Sequence, residues 1–142
     1  MRKFHLPLLL SLTFATGLSL SSCKKDTPTF PTILTPKEQL AVGSWRLDEF
    51  KQGGQVSTGN AIKDRYSLTF RADGTYTQKI LADNTTYPGT WALVNDNTVL
   101  NLTDHKGTTN RYPLTALSAT ELSYIFITPS VQTEERKFSA QP

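Results

Sequence analysis

The sequence is poor in the residues from which most protein chemistry is built. It has one cysteine, Cys23, and one methionine, Met1. A single thiol excludes an intramolecular disulfide framework. The two histidines are His5 and His105, and with so few nitrogen and sulfur ligands the common zinc sites cannot be assembled within one chain. No apolar run reaches the ~20 residues of a membrane-spanning helix. Charge of one sign is also lacking. Of 15 Lys+Arg, Arg2 and Lys3 lie at the extreme N-terminus, and the rest of the chain carries 13 against 12 Asp+Glu. That balance gives no basic footprint for nucleic acid. There is no Gly-x-Ser-x-Gly, no Cys–His pair and no glycine loop to cradle phosphate. Asp48-Glu49 and Glu134-Glu135 are neighbours in sequence, so on a strand they point to opposite faces and cannot work as carboxylate pairs. Asp73, Asp96, Asp104 and His105 fall in turns, where Asp is favoured for its own backbone hydrogen bonds. The chain is therefore read as non-enzymatic, with no cofactor.

What is present begins with an export signal. Met1-Arg2-Lys3 is basic, and residues 6–20 are mostly apolar and uncharged, too short to span a membrane but suited to an h-region. Leu20-Ser21-Ser22-Cys23 resembles the lipobox of bacterial lipoproteins, which implies cleavage before Cys23 and lipid on its thiol and new amino group. Three acyl chains exceed what stable anchoring requires. Lys24, rather than Asp, follows the cysteine, which favours the outer membrane, on its periplasmic or surface face. The Thr- and Pro-rich stretch behind it reads as an extended tether. The expected organisation is a signal peptide over 1–22, a lipidated tether over 23–34 and one domain over 35–142.

That domain opens on Thr35-Pro36-Lys37-Glu38, a capping box with Pro at the first helical position, predicting a short helical turn. From Ser44 the hydrophobic period becomes two. Residues 45–51, 65–71, 75–81, 85–94, 99–103, 108–116, 121–128 and 131–139 read as eight strands, with tight turns such as Ala72-Asp73-Gly74 and Asn95-Asp96-Asn97 between most of them. The fold class is all-β, a small antiparallel eight-stranded meander barrel. Residues 52–64 are polar and glycine-rich and are expected to cross one barrel end as a loop or lid.

The ordered set Gly43-Ser44-Trp45, Leu68-Thr69-Phe70-Arg71-Ala72-Asp73-Gly74-Thr75-Tyr76, Gly89-Thr90-Trp91 and Leu100-Asn101-Leu102 resembles the lipocalin-like domain of Bacteroidetes-type bacterial lipoproteins. The likeness runs from about residue 40 to 138. It implies a lipocalin-like barrel. It also implies that Trp45 closes one barrel end beneath an arginine of the last strand, Arg136, or failing it Arg111, by a cation–π contact.

Inward tyrosines and a tryptophan could orient a ligand while giving it apolar area, so Tyr66, Tyr76, Trp91, Tyr112 and Tyr124 are the candidate ligand-binding residues. The same side chains, with Phe70 and Phe126, would equally serve as packed core. Two roles follow. A barrel of about 108 residues has little spare volume, which favours a monomeric, non-catalytic accessory module that docks on an envelope partner. The alternative is a carrier of a small apolar ligand. Membrane contact runs through lipid on Cys23.

Overall fold

A computed structural model describes residues 33–142. The signal, Cys23 and nearly all of the tether lie outside the described residues. Residues 33–142 form one compact unit.

The capping box opens α1 (Pro36–Leu40). The Thr35 hydroxyl accepts the Glu38 N–H and the Glu38 carboxylate accepts the Thr35 N–H, satisfying two end donors of a helix too short to stand alone. Nine strands follow: β1 (Ser44–Gln52), β2 (Gln55–Thr58), β3 (Tyr66–Phe70), β4 (Thr75–Ile80), β5 (Thr86–Val94), β6 (Val99–Thr103), β7 (Thr109–Leu117), β8 (Glu121–Ile127) and β9 (Thr133–Gln141). From β3 to β9 each strand pairs antiparallel with its successor. β1 pairs with both β3 and β9, which closes an eight-stranded barrel and leaves no free edge around the ring.

Residues 52–64 depart from the expected loop. Gly53 and Gly54, both at positive φ, make the tight two-residue turn that such geometry requires. The chain then returns along β1 as β2, with Gln52 opposite Gln55 and Glu49 opposite Thr58. β2 is thus a ninth strand carried outside the ring, followed by a 3-10 turn at Gly59–Ala61.

β1 can serve three neighbours because it changes partner midway. Its Ser44–Arg46 stretch pairs with β3 and its Glu49–Gln52 stretch with β2. A bulge between Leu47 and Glu49 accommodates the change. Asp48, in that bulge, holds the join: its carboxylate takes Arg46 Nε at 2.9 Å and Arg65 Nη2 at 2.5 Å, and the Ser139 hydroxyl of β9 donates to it.

Alternation along the strands sends Trp45, Leu47, Leu68, Phe70, Leu100, Leu102, Leu122 and Phe138 into the core. The end near α1 is sealed. Trp45 is 0% exposed, its indole Nε1 donates to the Leu40 carbonyl at 2.8 Å, and Lys37 sits over the Trp91 ring. The expected Arg136–Trp45 stacking is not what the fold makes. Arg136 opposes Phe50 on β1, whereas Trp45 opposes Ala140, and ~3.3 Å per residue sets the two positions far apart along the barrel. Arg111 is exposed on the outer face. Trp45 lies buried at its end of the barrel, under the α1 turn.

Candidate functional site

The opposite half of the interior is built differently. Strand parity brings Tyr66 (β3), Tyr76 and Gln78 (β4), Asn110 and Tyr112 (β7), Tyr124 (β8) and Arg136 (β9) to one inner surface, with Asp104 at the start of the β6–β7 turn. They line a chamber of about 150 Å³. A second cavity of about 380 Å³ shares Tyr66, Gln78 and Arg136 with it, and is otherwise walled by Phe50, Ile80, and Ser57 and Ile62 of the β2–β3 segment. The second cavity adjoins the first at these three side chains and is the more open of the two, and we call it the mouth. It lies where β1 has left β3 for β2, so the partner change that adds a ninth strand also opens the wall.

Glycine makes room for one tyrosine. Gly89 lies opposite Tyr76 across β4–β5, and a Cβ there would come within 2.4 Å of both the Tyr76 ring and the Thr103 carbonyl oxygen. Tyr76 keeps its place because residue 89 has no side chain.

Arg136 organises the polar lining. Its Nη2 meets Glu134 Oε2 at 2.5 Å, and its Nη1 donates to the Tyr66 hydroxyl at 3.1 Å. The Tyr66 and Tyr124 hydroxyls are themselves 3.1 Å apart. Gln52 Nε2 donates to the other Glu134 oxygen at 3.1 Å. The guanidinium lies over the rings of Phe50 and Phe126, and its Nε is buried with no partner among the described residues. Burial works against its charge, but Tyr66, Tyr124 and Glu134 hold its pKa above the ordinary arginine value. Tyr112 stacks obliquely on Tyr124 and Phe126, at 4.7 and 5.4 Å between ring centres.

Burial is also the main force on the phenols. It pushes Tyr112 up to about 12, Tyr124 well above the ordinary value, and Tyr76 up with help from the Asp104 charge. A phenol whose folded pKa exceeds its unfolded value of ~10 stabilises the fold fully below that pH and loses the contribution as pH rises through the folded value. Stability should therefore decline from about pH 10 toward pH 12, with Tyr112→Phe flattening the decline. In an absorbance titration near 295 nm, these three phenols should ionise above the ordinary tyrosine range. Simultaneous ionisation of all five tyrosines near their ordinary pKa would mean the chamber is open to bulk water.

Of the sequence-predicted ligand residues, four meet here: Tyr66, Tyr76, Tyr112 and Tyr124. Trp91 does not border either cavity. It packs edge-on against Phe70 at the sealed end and donates its Nε1 to the Arg71 carbonyl at 3.0 Å. Arg136, expected at barrel closure, stands in the chamber instead. Sequence reasoning passed over Gln78, Asn110, Asp104 and Glu134. The first two were open to parity, since Gln78 lies between Tyr76 and Ile80 and Asn110 two residues before Tyr112.

A family model described as a lipocalin-like domain matches residues 42–124. Among solved structures, a de novo designed fluorescence-activating beta barrel is 12% identical with a TM-score of 0.51, covering 76% of this chain and all of its own. A redesigned beta barrel is 15% identical with a TM-score of 0.47, covering 78% of this chain and all of its own. The first of these likenesses concerns the fold alone. No curated protein matches the chain.

Proposed function

The chain belongs to the lipocalin-like domain family, and on that footing we propose that it is a lipid-anchored envelope protein whose barrel binds a small ligand in its open half. The observation that carries this reading is the chamber and its mouth. An interior meant only as core would be filled with apolar side chains, as the Trp45 end is. Here the strands turn tyrosines, amides and an arginine toward a connected space large enough for a small molecule. The described side chains that line it are suited to hydrogen bonding and ring contact, which supports binding as the role. The polar lining moves the ligand away from the wholly apolar cargo that an aromatic barrel suggests.

The anchor in this reading is lipid on Cys23, in the outer membrane. Native mass spectrometry of the full chain, released from detergent after exposure to envelope extract, tests the binding. A small mass that leaves on denaturation supports it, and a clean apo mass counts against it. Metabolic labelling with an acyl probe tests the anchor: the wild type should carry label and sediment with membranes, and Cys23→Ala should lose both.

A docking role keeps one specific support. β2 has no second strand neighbour among the described residues and exposes Val56, so it could accept a partner's strand along its free edge.

A further inference from the structure

We propose that the chamber takes an uncharged, hydroxyl-rich head group whose apolar remainder lies in the mouth; the inference rests on the binding role proposed above and names its ligand class. Four side chains on the chamber wall carry it. The hydroxyls of Tyr76 and Tyr112 and the amides of Gln78 and Asn110 line the space, and none makes a hydrogen bond to another described residue. Each can both donate and accept; Tyr76 and Tyr112 are buried and Gln78 and Asn110 half-buried, and a ligand that displaces water from them must replace its hydrogen bonds. Burial keeps the two phenols neutral across the physiological range, so they offer both functions at once. A ligand with hydroxyls answers all four.

Charge decides against ions. The Arg136 guanidinium is already matched by Glu134 at 2.5 Å. Asp104 faces the same chamber as a carboxylate, held below its usual pKa by the backbone N–H groups of Thr108 and Lys106. The mouth adds Lys63 and Asp64. Two cationic side chains thus stand against three carboxylates. An anionic head would meet Asp104, and a cationic one would meet Arg136. Within the chamber Arg136 is paired with Glu134 and Asp104 Oδ1 already accepts the Lys106 and Thr108 N–H groups, and at the mouth Lys63 and Asp64 bring one charge of each sign.

Size and layering agree with a two-part ligand. A cavity of about 150 Å³ is of the order that admits a six-membered ring. Above it, Leu47, Phe50, Ile62 and Ile80 give the mouth an apolar wall suited to a short hydrocarbon or aromatic group.

The test uses the full chain in micelles of a detergent without sugar, such as lauryldimethylamine oxide, with four probes followed by saturation-transfer NMR and calorimetric titration. Phenyl β-glucopyranoside should bind. Phenyl β-glucuronide and phenyl β-glucosaminide, the same frame with a negative or positive charge, should bind at least tenfold more weakly, and cyclohexylbenzene, which lacks the hydroxyls, likewise. Tyr76→Phe with Tyr112→Phe should weaken the glucoside roughly tenfold or more, as expected for two lost hydrogen bonds, while cyclohexylbenzene binding stays unchanged. Should that variant melt early, Gln78→Leu gives an independent reading with loss in the same direction. A charged or wholly apolar probe binding as tightly as the glucoside overturns the inference. No probe binding while native mass spectrometry retains an envelope molecule overturns the ligand class alone. Silence in both experiments removes the binding role with it.

Discussion

Trp45→Ala should lower the stability of the barrel by about 3–5 kcal/mol, the range for truncating a large buried aromatic. No part of Trp45 reaches solvent, and its neighbours are tied to it from two directions. Leu40, itself fully buried, rests on it from α1, and the Leu40 carbonyl accepts the indole N–H. Removing the ring opens a void at the sealed end and leaves that carbonyl without its donor, so transfer, cavity and hydrogen-bond losses fall together. For a domain of this size each kcal/mol moves the melting temperature by about 4–8 °C, and the midpoint should fall by roughly 12–40 °C. Trp45→Phe, which keeps most of the volume but not the N–H, should cost only about 1–2 kcal/mol. Thermal and urea unfolding would measure both. A fall of only a few degrees for the alanine variant would mean that α1 does not close the barrel.

Glu134→Ala is the second large effect, and its cause is charge rather than volume. Glu134 is 8% exposed and bonded to Arg136 on one oxygen and to Gln52 on the other. Its removal leaves a guanidinium that is only 21% exposed without its bonded carboxylate, at a cost approaching the ~3–5 kcal/mol of a broken buried pair. Such a pair owes little of this to net attraction, because desolvating both partners consumes most of the Coulomb gain. The double variant Glu134→Leu with Arg136→Met should therefore sit close to wild-type stability, and well above the sum of the two single losses. The double-mutant cycle is read by urea unfolding at one pH. Additive losses would show that the two side chains do not depend on each other.

Most of the barrel was legible because period-two alternation reports directly on which residues face a core. Tyr66-x-Leu68-x-Phe70 and Leu122-x-Tyr124-x-Phe126 could hardly be read otherwise, and the turn and capping residues marked their boundaries. β2 was missed because it is four largely exposed residues, three of them polar, without alternation to betray it. Its one signal was the Gly53-Gly54 pair, a two-residue turn in its own right. The placement of Arg136 failed for another reason. Register belongs to a pair of strands and not to either sequence, and the bulge at Asp48 shifts it further. The chamber was half legible: the tyrosines advertise themselves, whereas Gln78 and Asn110 gain meaning only once Tyr76 and Tyr112 have been turned inward.

The pairing of β1 with β9 also governs how the molecule comes into being. Every other contact in the ring joins strands adjacent along the barrel meander, and could form as soon as a hairpin has emerged. The seam cannot, because Ser44 waits for Gln141 and Gln52 for Glu134. A chain made from its N-terminus holds β1 with one side unsatisfied until almost the last residue is available, and the loop entropy of that closure falls late in the search. The β1–β2 hairpin is local, but β2 lies on the opposite edge of β1, the edge shared with β3, so the seam edge stays open in the interval. The strand outside the ring thus covers only the edge of β1 that β3 leaves, where it frames the mouth of the chamber, and the seam closes without its help.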